Sequence, residues 1–155
     1  MPGGDEPPTR RVAPAELERY LEHMQAGRFF EAHEELEAVW HRSKSEFYHG
    51  LVILAAAFCK RERGNAHGVV RNLRKARRYL EPYGRRSACY LGLDVRGLVN
   101  AIDHSLQRLQ AAGIDPARGV TGDGAVPAAW LRELLPDLDW SWQAEDLRGD
   151  EPETR

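Results

Sequence analysis

Nine successive apolar residues, Leu51 to Cys59, constrain the fold of this chain more than any other feature. The run is far short of the roughly 20 residues a membrane-spanning helix needs. Read as a helix it is apolar on every side, so other helices must surround it. Ala55, Ala56 and Ala57 within it let those neighbours approach closely. The chain has 155 residues, of which 42% are hydrophobic and 30% charged. That balance belongs to one globular domain with tails, long enough to bury a core without disulfides or metals as staples.

The remaining periodic segments supply the surrounding helices. Pro14 opens the first, where a missing N–H costs nothing, and Leu17, Tyr20, Leu21 and Met24 fall on one face before Gly27 stops it. The second runs from about Arg28 to Arg42, with Phe29, His33, Leu36 and Trp40 in a stripe flanked by Phe30 and Val39. Ser45 caps the third, the apolar one. Gly64 breaks the chain, and Asn65 caps the fourth, whose stripe is Val69, Leu73, Ala76 and Leu80 before Pro82 and Gly84 end it. Asp94 caps the fifth, with Val95, Leu98, Ile102, Leu106 and Leu109 inward, and Gly113 closes it. No strand is expected. Short loops predict antiparallel neighbours, so the fold class is all-α: a small bundle of about five packed antiparallel helices plus a short C-terminal helix.

Five segments divide the chain: residues 1–13, a flexible proline- and glycine-bearing arm; 14–112, the helical domain; 113–126, a glycine-rich linker; 127–142, a short docking helix and aromatic segment; and 143–155, an acidic tail. In the fourth, Pro127 lies near the first turn and Trp130, Leu131, Leu134 and Leu135 share a side before Pro136. Trp140 and Trp142 follow, and so much aromatic surface predicts docking on the core or on a partner. Two cysteines make no disulfide framework, and the start lacks the charged-then-apolar pattern of a secretory leader. Cytoplasmic localisation without membrane association is the expectation.

Four blocks carry a resemblance. Phe29-Phe-Glu-Ala-His-Glu-Glu-Leu-Glu37 followed by Trp40, Gly50 to Ala57, Arg71 to Ala76 after Gly64, and Leu91-Gly-Leu-Asp94 leading into Leu98 occur in order. Over roughly residues 16–111 the chain resembles a prokaryotic domain-of-unknown-function family, number 309 in that series. The resemblance implies packed antiparallel helices and assigns no activity. The position before Gly50 is usually glutamine in that family's pattern and is His49 here.

The chemistry-bearing residues gather on the second helix. His33-Glu34-Glu35-Leu36-Glu37 is similar to the zinc-protease pattern H-E-x-x-H, with Glu37 replacing the second histidine. His33 and Glu37 share a helical face, and Glu34, Glu37 and His41 form a second ladder. If the second and third helices turn about residues 43–46, His49 lies opposite Trp40 or His41. His33 then lies on the order of 6 Å beyond Glu37 at a 1.5 Å rise per residue. Glu37, His41 and His49 are therefore the candidate metal trio, at low weight, since no second ligand block follows and no cofactor is otherwise expected. The competing reading is a pocket or polar network of Glu31, His33, Glu34, Glu37, Trp40, His49, Arg71 and Asn72, with Arg71, Asn72 and Arg74 partnering the acids, because buried charges are paired or costly.

A second constellation is charge. Lys60 to Arg86 holds ten Lys or Arg and two acids, and Arg71, Arg74, Lys75 and Arg78 form a candidate anion-binding side of the fourth helix. Asp123 to Arg155 carries nine acids and three basic residues, which works against nucleic-acid binding, as does the net charge of −2. The leading expectation is a helical module binding a protein partner or small anionic ligand at a polar groove between the second, third and fourth helices. The alternatives are a small hydrolase-type enzyme, with or without a metal, using His33, Glu34, Glu37 and His49, and nucleic-acid binding through the fourth helix. Exchange of the C-terminal segment between copies would give a homo-oligomer.

Overall fold

The computed structural model describes residues 10–12, 15–117, 119–120, 122–140 and 148–150. In chain order the elements are β1 (Arg10–Val12), α1 (Ala15–Gln25), α2 (Phe29–Ser43), α3 (Glu46–Glu62), α4 (Ala66–Arg86), β2 (Cys89–Tyr90), β3 (Leu93–Asp94), α5 (Val95–Ala111), α6 (Ala128–Leu134) and β4 (Arg148–Asp150). Consecutive long helices pack as antiparallel pairs. Arg19 of α1 bonds Glu35 of α2, Phe29 of α2 stacks on Phe58 near the end of α3, Phe47 of α3 meets Tyr83 late in α4, and Arg77 of α4 bonds Asp103 of α5. The all-α bundle follows. No helix among the described residues is long and apolar enough to cross a membrane.

The central helix is α3, with Leu51, Leu54, Ala55 and Ala57 fully buried. Gly50 sets how close α4 comes: a Cβ there would lie 2.8 Å from Leu80 Cγ and 3.1 Å from Tyr79 Cβ. Side-chain caps hold three starts, Ser45 accepting from the Tyr48 N–H, Asn65 from Gly68 and Asp94 from Gly97.

Four local expectations are corrected. The buried stripe of α2 is Phe29, Ala32, Leu36 and Val39, rotated away from His33 and Trp40, and Phe30 is 60% exposed. Steps of three, four and three residues keep those four apolar side chains on one line, leaving His33 and Trp40 at its edge. Helix α4 runs through Pro82 to Arg86, because Gly84 is buried against the α5 backbone, where a Cβ would stand 3.1 Å from Arg96 Cα. Proline forfeits a bond there, but packing of the last turn outweighs it. The third correction is strand: β2 and β3 form an antiparallel hairpin turning on Leu91 and Gly92, both at positive φ, with Leu91 buried as its anchor. Finally, Trp130 is exposed while Leu131 and Leu135 point inward.

The described residues between 113 and 126 run along α4. Val126 N–H donates to the Gly64 carbonyl, His67 N–H to Asp123, and Asn65 bridges Ala125. Leu131, Leu135 and Trp140 then enter the core, Trp140 meeting Tyr20 edge-on at 5.9 Å. β1 and β4 pair antiparallel, Arg10 opposite Asp150. Pro14, Trp142, residues 1–9 of the arm and residues 143–147 and 151–155 of the tail lie outside the described residues.

Candidate functional site

The α2–α3 turn builds an aromatic stack. Lys44 ends α2 in the left-handed conformation (φ 57°), its N–H bonded to the Trp40 carbonyl. That reversal leaves its ammonium 5.6 Å from the Trp40 ring centre. His49, one turn into α3, stacks on Trp40 with ring centres 4.1 Å apart and planes 12° off parallel. Tyr79 of α4 meets the same imidazole at 4.5 Å, and Arg78 lies over the tyrosine ring. All three rings are half-buried. Burial pushes the His49 pKa below the ordinary histidine value; the Lys75 ammonium pushes it the same way, and the Glu46 carboxylate opposes. Neutral imidazole is thus the form held between the rings at neutral pH.

The four α4 candidates fall into two pairs. Arg71 donates to the Val120 carbonyl at 2.6 Å, and Arg74 pairs with Asp115, so both hold the 113–126 segment instead of meeting the acids of α2. Among the described residues, Lys75 and Arg78 have no carboxylate partner, and they flank His49 and Tyr79. Asn72 is half-buried on α4 and joins none of these pairs. The neighbouring Arg77 and Arg85 are held by Asp103 and Glu81.

On α2, His33 Nδ1 lies 3.5 Å from Glu34 and 3.9 Å from Glu37, and His41 Nε2 lies 3.8 Å from Glu37 on its other side. His33 Nδ1 is itself buried without a hydrogen-bond partner. One atom each from His33, Glu34 and Glu37 falls within 4.8 Å of the others, a spacing open to a divalent cation. The structure brings these three together and leaves His41 and His49 out of the group: His49 is taken by its stack, and His41 tilts against Trp40 at 4.7 Å. Glu31 is exposed on the outer side of α2.

Sequence reasoning missed Arg61. It is 3% exposed, donates to the Leu135 carbonyl at 2.8 Å and pairs with Glu62 and Asp137, each at 2.9 Å. Its guanidinium lies 4.9 Å from the Phe58 ring centre and 5.2 Å from Phe29. Glu62 also takes Arg132 of α6 at 2.7 Å. The signal was its spacing: Arg61 falls three residues after Phe58 and seven after Leu54, on the buried side of the apolar helix.

Fold and site together define an all-helical module with a cation-rimmed aromatic face on one side of α2 and a histidine–carboxylate group beside it. A family model described as a domain of unknown function, DUF309, matches residues 17–72. The similarity thus spans most of α1, all of α2 and α3 and the first turns of α4; the rest of the Arg71–Ala76 block and the Leu91–Asp94 block lie beyond it. No curated protein matches the chain, and no solved structure does.

Proposed function

We propose that the chain is a binding module whose α2–α3–α4 face takes a small anionic ligand, with an acidic side chain of a protein partner as the other occupant of the same chemistry. The observation that carries this is the Trp40–His49–Tyr79 stack with Lys44, Lys75 and Arg78 around it. The rings offer a flat, half-buried apolar wall. The cations offer charge at its rim without carboxylates of their own to satisfy first. Linkage makes a sharp test: an anion beside Lys75 offsets the charge that depresses His49, so binding raises the His49 pKa and tightens as pH falls. Inorganic phosphate and benzoate are titrated in while the His49 ring protons are followed by NMR. The expected result is an upward-shifted His49 titration, lost in Lys75→Ala/Arg78→Ala and retained in Arg85→Ala. No shift with either anion would sink the reading.

A second reading has its own observation, the buried unbonded Nδ1 of His33 facing Glu34 and Glu37. A divalent cation there would satisfy that atom and could assist hydrolysis as a Lewis acid. Elemental analysis of untagged protein, with melting temperature before and after chelation, tests it. Stoichiometric metal lost in His33→Ala supports it; metal-free protein with no chelation shift removes it.

A further inference from the structure

The outward face of α2, near its start, carries a different surface. A groove of about 440 Å³ lies between α1 and α2, lined by Glu16, His23, Phe30, Glu31, Glu34 and Glu35. A second hollow of about 350 Å³ shares Phe30 and Glu31 with it and adds Phe29, Cys59, Arg28 and Arg63. Phe30, at 60%, is the most exposed large hydrophobic among the described residues and stands where the two meet. We infer that this double groove is a docking site for a basic, amphipathic segment of another protein, seated astride Phe30.

Charge selects the occupant. The larger groove presents four glutamates against one histidine. Two are answered at the rim, Glu35 by Arg19 and Glu16 by Arg42. Among the described residues, Glu34 has only the His33 imidazole. Glu31, between the two hollows, has no ion-pair partner among the described residues. A lysine or arginine side chain suits that position twice, its stem on the Phe30 ring and its head at Glu31. The apolar floor of Phe29 and Cys59 then receives a neighbouring hydrophobic residue, as grooves between helices receive amphipathic helices. A second copy of this chain fits poorly in a symmetric arrangement, since the same acids would face each other.

The probe is a short synthetic amphipathic peptide with a leucine stripe and lysines elsewhere, fluorescently labelled and titrated with the full chain by anisotropy at low and high salt. Binding is expected to weaken about tenfold or more in Phe30→Ala and in Glu31→Lys, and not in Glu133→Lys on α6. Both residues are exposed, so circular dichroism should be unchanged. Equal binding by both variants, equal binding of a lysine peptide lacking leucines, or displacement by spermidine at matching concentration would each overturn the assignment. The groove shares no residue with the Trp40–His49–Tyr79 face, so failure here leaves the anion reading standing.

Discussion

Replacing Arg61 with alanine should separate the C-terminal segment from the bundle, and the structure sets the scale. The guanidinium is buried, and removing it leaves the Leu135 carbonyl, in a residue 1% exposed, without its donor. An orphaned buried acceptor costs about 1–3 kcal/mol. The contacts over Phe29 and Phe58 add about 0.5–2 kcal/mol each. The pair with Asp137 adds little, since that carboxylate is 64% exposed. The total is about 2–7 kcal/mol, which brackets the loss of about 3–5 kcal/mol found when one member of a buried pair is removed. Melting temperature should fall on the order of 10 °C for a chain of this length. Urea denaturation measures the loss, and limited trypsin digestion shows whether the backbone at Arg132 opens enough to be cut. Arg61→Met, which keeps much of the ring packing, should fall between. A loss under about 1 kcal/mol with cleavage at Arg132 no faster than in the parent chain would refute Arg61 as the fastener of residues 127–140.

Gly64→Ala should destabilise by at least about 2 kcal/mol, because the residue sits at φ +72° and a Cβ would collide with the Val126 carbonyl; thermal denaturation reads it. The hydrogen bond from Arg132, helped by Arg61 and opposed by burial, holds Glu62 below its ordinary value of 4.5. A depressed carboxylate stabilises above its unfolded pKa and loses that contribution as pH falls through the folded one. Glu62→Gln should therefore flatten the acid limb of stability below about pH 4.5, seen by urea titration across pH. His49, a base with a lowered pKa, contributes stability above the unfolded value of 6.5 that is lost as pH drops through the folded one. NMR should show it titrating below the ordinary value, and His49→Gln should remove its part of the stability change under pH 6.5.

The helices were legible because capping and periodicity act within a few residues. Ser45, Asn65 and Asp94 cap in space as their positions predict, and Val69, Leu73, Ala76 and Leu80 are all buried. What was not legible depends on distant partners. Pro82 stays helical only because Gly84 finds the α5 backbone. Arg71 and Arg74 look like free anion ligands until the 113–126 segment lies across them. The proximity of His49 to Trp40 followed from a helical hairpin, but its stacking also needed Tyr79, thirty residues on. Arg61 was invisible as a structural residue because its carbonyl partner is 74 positions away.

Helix α2 explains why two unlike surfaces coexist on so small a domain. Its buried stripe is narrow, four residues in a line, so both flanks remain polar and reach different neighbours. On the α3 side, Trp40 finds His49 and the α4 cations; on the α1 side, Glu35 finds Arg19; Phe30 and Glu31 face outward between α1 and the end of α3 and are left to solvent. Burying Phe30 against the core would require rotating the helix, which would bring His33 or Trp40 out of its present place. The sequence therefore accepts an exposed phenylalanine beside a glutamate that has no ion-pair partner among the described residues.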